Sequence, residues 1–371
     1  MSNHLNFEHL SPKQKIGQLF FIGLPGAGID PTARALLEEI APGGICLFSR
    51  NIKTAAQTRA LIEAVRAALP AEPFVSLDQE GGLVDRLRRI VTPMPSVKQI
   101  TAKGDPEPVR RLAAITAELA RLLGFNLNFA PVVDIIDEER EKFVNGLYSR
   151  GFGRSKEDVI RLAGLYLETL QAGGCLGTLK HFPGYGATEV DSHEELPQVN
   201  LSPEELFEND LVPYELFLKE KDVSFIMVGH AAYPQIDLQE KDASGRFIPS
   251  SLSFNFITKL LRERLGFQNL VITDDLEMGA VVKNYGIGEA AKKAFKAGND
   301  LLLICASPSA IREAFEAVGA AVEKGEISHE RIEQSLERIA RIKSKLSPPL
   351  AFDEQRIAAL SGEIKNLSEL C

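Results

Sequence analysis

Fourteen residues, Lys180 to His193 (KHFPGYGATEVDSH), hold two of the six histidines in the chain. The apolar run leading into them, CLGTLKHF, reads as a buried strand that ends at Lys180 and His181. Pro183, Gly184 and Gly186 then break the strand and begin a loop. Within that loop Asp191 and His193 stand two residues apart, so in extended backbone both side chains project from one side. The carboxylate can then orient the imidazole and favour its charged form, an arrangement suited to moving a proton near neutral pH. Glu189, Glu194 and Glu195 are rival acids on the same loop. The plain alternative is a solvated polar loop, and the spacing by itself does not separate the two. The two glycines suggest a mobile loop, because they adopt backbone angles that other residues resist.

The elements that must position these residues follow a regular alternation. Short apolar runs at 16–24, 43–49, 73–78, 125–135, 176–182, 223–230, 269–275 and 300–306 read as strands. Helical periodicity lies between them at 54–69, 106–123, 156–173, 203–219, 253–264, 286–297, 308–324 and 329–345. Ser155, Ser202 and Ser253 are candidate N-caps, and Gly298 a C-cap. Eight strands alternating with helices in a chain without a linker predict an α/β fold, a (β/α)8 TIM-type barrel, as one domain over 1–371. A doubly wound open sheet is the alternative. The segment from about 353 to 371 reads as a terminal helix packing back on the barrel.

Seven polar residues fall at the C-terminal ends of these strands: Asp78, Asp134, Lys180, His181, His230, Asp274 and Asp275. In barrel enzymes that end carries the active site, so they predict a converging polar pocket. Asp274 follows the run Leu270 to Ile272, which would hold its carboxylate rigidly at the barrel mouth. A carboxylate so held can act as a nucleophile toward an electrophilic carbon. An aspartate at that place can equally cap the next helix.

Composition excludes several classes. A net charge of −9 argues against a nucleic-acid footprint, and there is no Lys/Arg run to meet an anionic membrane. No apolar stretch reaches the length of a membrane span. The N-terminus has neither a basic region nor a long apolar core, so a cytoplasmic location is expected. Cys46, Cys175, Cys305 and Cys371 are scattered without metal-ligand spacing, and no metal or cofactor is expected. A monomer is expected.

The loop string KHFPGxGxTxxDSH resembles the signature of glycoside hydrolase family 3, in its β-N-acetylglucosaminidase branch, the NagZ type. LDQEGGLVDRL (77–87), NFAPVVDI (128–135), SRGFG (149–153), PSSLS (249–253) and GFQNLVITDDLEMGA (266–280) agree with it in family order. The resemblance implies a retaining exo-β-N-acetylglucosaminidase in which Asp274 is the nucleophile and His193, paired with Asp191, the acid/base. It implies that Asp78, Arg86, Arg150, Lys180 and His181 hold the sugar, with His230, Asp275 and Tyr185 standing behind them. The substrate implied is a small carbohydrate or muropeptide, GlcNAc linked to 1,6-anhydro-N-acetylmuramic acid, in cell-wall recycling. Two positions depart from the family pattern. Tyr185 replaces a histidine, and Leu83 replaces an arginine and so removes a positive charge near the cleft. A β-glucosidase of the same family, a phosphorylase and a catalytically silent sugar-binding protein remain the competing expectations.

Overall fold

The computed structural model of the chain describes residues 7–143, 146–188 and 195–370. Eight short buried strands run parallel: β1 (Phe20–Gly23), β2 (Gly44–Cys46), β3 (Phe74–Leu77), β4 (Leu127–Asn128), β5 (Thr178–Phe182), β6 (Phe225–Val228), β7 (Leu270–Thr273) and β8 (Leu302–Ile304). Each lies inside a run expected to be a strand. Ladders join β8 to β1, β1 through to β4, and β5 through to β7. The parallel bridges Leu127–Leu176 and Val132–Lys180 connect β4 to β5, and Ile272–Leu301 connects β7 to β8. The order therefore runs once around a closed ring, as the alternation of elements predicts. An open doubly wound sheet would leave two edges, and this ring leaves none.

Helices occupy the crossovers that parallel pairing requires. Ala55–Ala68, Glu107–Leu123, Lys156–Ala172, Ile287–Ala297, Pro308–Glu323 and His329–Lys343 lie within a residue or two of their expected bounds. Ser155 and Ser202 accept hydrogen bonds from the first turns they precede, Ser202 within a capping box with Glu205. Ser253 accepts from the Phe256 N–H at 3.3 Å. A terminal helix, Glu354–Leu370, packs on Glu107–Leu123, with Arg356 donating to Glu118 from Nε and Nη2.

Two expected boundaries are corrected. The first strand does not begin at 16, because Pro12–Gly17 is a helix capped by Ser11. The long run 125–135 is a regular strand only at Leu127–Asn128; Pro131 lacks an N–H and interrupts the ladder, which resumes at the Val132–Lys180 bridge. The helix Pro31–Ile40 was not expected, although Asp30 caps it and Pro31 opens it, a recognisable start signal. That helix is amphipathic over ten residues, short enough to pass for a loop.

Aromatic rings fill the barrel interior. Phe74 of β3 meets Phe225 of β6 edge to face, with centroids 5.0 Å apart. Beside them Lys343 is almost fully buried; its Nζ donates to Gln18 Oε1 at 2.8 Å and lies 5.4 Å from both the Phe7 and Phe74 rings. Burial pushes this amine down to about 7, whereas an unfolded lysine titrates at about 10.4. Between roughly pH 7 and pH 10 the unfolded chain therefore holds more protons, and stability rises with pH. This one group contributes a slope of up to about 1.4 kcal/mol per pH unit. Chemical denaturation across that window should show the rise in the wild type and a flatter curve in Lys343→Met. An identical slope in the variant would assign the dependence to another group.

Candidate active site

At the C-terminal end of the ring the strand ends and their loops enclose a cleft of about 330 Å³. Its lining includes Asp78, Arg86, Arg150, Lys180, His181, Tyr185, Asp274 and Asp275. Convergence follows from topology, since in a parallel barrel every strand delivers its last residues to the same end. The volume falls within the usual range for a small-ligand site.

Lys180 and His181 are neighbours in one strand, where successive side chains ordinarily face opposite ways. The β5–β6 ladder is interrupted here. Leu179 pairs with Ile226 and Phe182 with Val228, so Lys180 and His181 together face the single residue Met227. A bulge of this kind re-aims side chains, and both residues line the cleft.

Lys180 is fully buried. Its Nζ lies 2.9 Å from Asp78 Oδ1 and 2.7 Å from Glu80 Oε1. Arg150 binds the same Glu80 in a two-pronged pair, at 2.7 Å and 2.9 Å. Burial by itself would raise the Glu80 carboxyl, but Arg150 and Lys180 outweigh it and hold it well below the usual carboxylate range. Burial would likewise lower Lys180 and Arg150, and the same carboxylates keep both raised. Glu80, Lys180 and Arg150 are thus charged at neutral pH. Asp78 also faces Arg86, whose Nη2 is 3.6 Å away and whose guanidinium lies 5.5 Å from the Phe48 ring.

Asp134 organises the other wall. One oxygen accepts from the His181 ring at Nδ1, at 2.7 Å, and from the His181 N–H at 3.2 Å; the other accepts from the Tyr185 N–H at 2.6 Å. With Nδ1–H donated to Asp134, the Nε2 of His181 is left to face a ligand. Tyr185, which departs from the family pattern, is buried and packs on the His181 ring at 5.6 Å. A side chain at Gly229 would press on both, with its Cβ 3.1 Å from His181 and Tyr185.

Asp274 follows β7, and its N–H donates to the Val228 carbonyl at 3.0 Å. Burial would raise its carboxyl, but His230, His181, the Asp275 N–H and Lys180 together hold it below the usual value. The Asp275 N–H donates to Asp274 Oδ1 at 2.8 Å. Asp275 itself is pushed up to about 7, chiefly by burial, with Glu277 and Asp274 adding repulsion. His230 does not line the cleft. Its Nε2 donates to the Asp275 carbonyl at 2.9 Å and its Nδ1 meets Ser251 Oγ at 2.6 Å, so it braces the Asp274–Asp275 turn from behind.

Asp191 and His193, with Glu189 and Glu194, lie outside the described residues. Glu195 is described, exposed and not among the cleft-lining residues. The stem of the loop is packed around Gly184 and Gly186. A Cβ on Gly186 would sit 2.3 Å from the Ile135 carbonyl, and one on Gly184 2.7 Å from the Asp210 Cβ. The Gly184 carbonyl accepts from Tyr233 Oη at 2.9 Å. Both glycines allow close approach, and Gly184 also holds a φ of 130°. Arg150 lines the cleft and at the same time makes its two-pronged pair with Glu80. Glu80 and Phe48 were missed by sequence reasoning. Glu80 carried a signal, since it stands two residues after Asp78 and shares its side; Phe48 carried none beyond following a strand. Among the described residues, no group of three or more His, Cys, Asp and Glu side chains is placed to hold a metal ion.

Residues 12–342 match the family model of the glycosyl hydrolase family 3 N-terminal domain. The chain is 32% identical over 340 residues to β-hexosaminidase A of Pseudoalteromonas piscicida, covering 86% of this chain and 56% of that protein. It thus spans little more than half the length of that relative. It is 33% identical over 288 residues to a β-hexosaminidase of Pseudomonas aeruginosa, covering 76% of this chain and 81% of that one. Among solved structures it resembles a family 3 β-N-acetylglucosaminidase from Paenibacillus, with a TM-score of 0.86 and 34% identity, over 97% of this chain and 69% of that one.

The Glu80 carboxylate is the shared partner of two buried cations, and its removal leaves Arg150 without its pair. Breaking a buried ion pair from one side costs about 3–5 kcal/mol. Glu80→Ala should lose stability of that order in chemical denaturation. A loss below about 1 kcal/mol, the range of a surface pair, would mean that water replaces the carboxylate.

Proposed function

Since the chain belongs to glycoside hydrolase family 3, in its β-hexosaminidase branch, we propose that it is a retaining exo-β-N-acetylglucosaminidase acting through a covalent glycosyl–Asp274 intermediate. The observation that carries this reading is Asp274 itself. It is a carboxylate anchored at a strand end, open to a sugar-sized cleft and kept ionised by surrounding imidazoles and Lys180. An ionised, immobile carboxylate is what attack on an anomeric carbon requires.

The remaining groups fit supporting parts. Asp78 and Arg86 present an acceptor and donors across the cleft from Asp274, suited to the hydroxyls at the far end of a sugar ring. His181 offers a donor or acceptor nearer to Asp274, within reach of the 2-acetamido group. Lys180, held by two carboxylates, adds positive potential under the sugar. In this reading His193 protonates the leaving oxygen and then takes a proton from the attacking water, with Asp191 favouring its charged form. The substrate we propose is the terminal GlcNAc of a peptidoglycan fragment, GlcNAc linked to 1,6-anhydro-N-acetylmuramic acid. The chemistry needs no metal.

Three outcomes are expected. Asp274→Ala should lower kcat by more than about a hundredfold, beyond what loss of a binding contact leaves, and a slow fluorosugar should label Asp274 in the wild type. Labelling of another carboxylate would overturn the assignment. An aryl β-GlcNAc glycoside should be cleaved much faster than the matching β-glucoside, and equal rates would refute acetamido selectivity. His193→Ala should slow a sugar leaving group far more than an activated phenolate, because a phenolate barely needs protonation. If that ratio stays at the wild-type value and Glu195→Ala or Glu189→Ala shifts it, the proton donor is a glutamate.

A further inference from the structure

Of the three Lys and Arg side chains that line the cleft among the described residues, Lys180 and Arg150 are each bonded to carboxylates, whereas Arg86 is not. The Arg86 Nη2 stands 3.6 Å from Asp78, beyond hydrogen-bond length, and its Nε is buried with no hydrogen-bond partner among the described residues. The root of the side chain is fixed. It follows a tight hairpin (Gln79–Gly81 with Val84–Asp85), and the Arg86 N–H donates to Gln79 Oε1 at 2.9 Å. Leu83, where the family pattern has an arginine, also lines the cleft, so Arg86 is the cation that the loop after β3 presents there.

What stands against the Arg86 guanidinium is an aromatic ring. Phe48 is half-buried and lines the cleft, and the Arg86 Cζ lies 5.5 Å from its ring centroid. A cation over a ring is drawn to its quadrupole, and an N–H that meets a ring face in place of an acceptor makes a weak hydrogen bond. The ring is itself a fixed platform. The Phe48 N–H donates to Asn51 Oδ1 at 2.9 Å, and the Asn51 N–H donates back to the Phe48 carbonyl at 2.8 Å. Asn51 is fully buried, and its Nδ2 donates to the Leu24 and Gly26 carbonyls at 2.9 Å and 2.7 Å. The Arg50 Cζ lies 4.7 Å from the same ring, and its guanidinium donates to the Leu24 carbonyl at 3.0 Å and to the Cys305 carbonyl. Phe48 is thereby tied to the ends of β1 and β8 as well as to its own strand, β2.

We propose that Phe48 is the positioning residue for Arg86, its ring holding the guanidinium turned toward the hydroxyls at the far end of the sugar. The inference rests on the reading of the cleft as a GlcNAc site. A long arginine side chain that no carboxylate fixes gives up rotamer freedom when it binds a ligand. A ring that already restricts it removes part of that cost before the sugar arrives. The far end of the sugar is remote from the anomeric carbon, so the Arg86 contact strengthens ground state and transition state alike. Loss of the Phe48 ring therefore weakens binding and leaves the chemical step at Asp274 unchanged.

The test is a double-mutant cycle on the full chain, with GlcNAc as competitive inhibitor and an aryl β-GlcNAc glycoside as substrate. Phe48→Leu keeps an apolar side chain and removes the ring face. It should raise the Ki of GlcNAc and lower kcat/KM about fivefold, the scale of one partly desolvated cation–π contact, with kcat held within about twofold. Phe48→Tyr keeps the face and should recover most of that loss. In an Arg86→Gln background, Phe48→Leu should move Ki by less than about twofold, because the group it positions is gone. A full fivefold loss in that background would mean that Phe48 touches the sugar directly, and it would overturn the inference. So would a tyrosine as damaging as leucine, an unchanged Ki in Phe48→Leu, or a loss that falls on kcat alone. If thermal denaturation shows Phe48→Leu to be unfolded, Phe48→Met takes its place in the cycle and is read in the same way. Failure of the wild type to bind GlcNAc or to cleave its aryl glycoside would overturn the reading of the cleft, and this inference with it.

Discussion

A fully buried lysine constrains everything else in this site. Removing an ammonium group from water costs several kcal/mol unless carboxylates and hydrogen bonds replace the lost hydration. Lys180 meets that cost with two carboxylates, Asp78 and Glu80, and Glu80 in turn requires Arg150. The four groups come from the end of β3, the loop after β4 and the end of β5. None can move far without stranding another, so the charge network locks the relative heights of three strand ends. Such a network does not by itself imply great stability, since well-packed apolar residues often do as well. What it provides is a fixed pattern of positive and negative potential at the floor of a cleft, set before a ligand arrives.

The second constraint is geometric. Asp134 binds the His181 ring, the His181 N–H and the Tyr185 N–H at once. That is possible only because the bulge in β5 turns His181 inward and because Gly184 and Gly186 let the chain pass close to Asp210 and Ile135. Arg140 secures this seat from beneath, bonded to the Ile135 carbonyl and to both oxygens of the buried Asp210. The stem of the signature loop is therefore part of the core. Replacement of the family histidine by Tyr185 is absorbed by packing against His181 and across the bare face of Gly229.

Asp274 and Asp275 show how neighbours in sequence acquire different chemistry. Asp274 faces imidazoles and an ammonium group, which depress its carboxyl; Asp275 faces Glu277 and Asp274 in a buried niche, which carries it up to about 7. Environments that drive paired carboxyls apart are a recurring feature of acid–base sites. His230, out of the cleft, holds the carbonyl of Asp275 and so steadies the turn on which both depend.

The sequence by itself determined the architecture and the list of polar groups at the mouth. Alternating apolar runs and amphipathic helices allow few closed arrangements, and a parallel ring sends every strand end to one side. Asp78, Lys180, His181 and Asp274 were legible for that reason, as was the terminal helix. Periodicity could not delimit β4, where Pro131 interrupts the ladder, nor reveal Pro31–Ile40, whose ten residues carry little signal beyond a cap. Only the tertiary structure decided the partnerships. Whether Arg150 faces a ligand or a carboxylate depends on where Glu80 lies, and Glu80 reaches Lys180 across a gap of a hundred residues in the chain. Local spacing describes which side of a strand a residue leaves from; it carries no information about which charge stands opposite. In a buried site that opposing charge sets protonation state, orientation and role, because water is not there to do so.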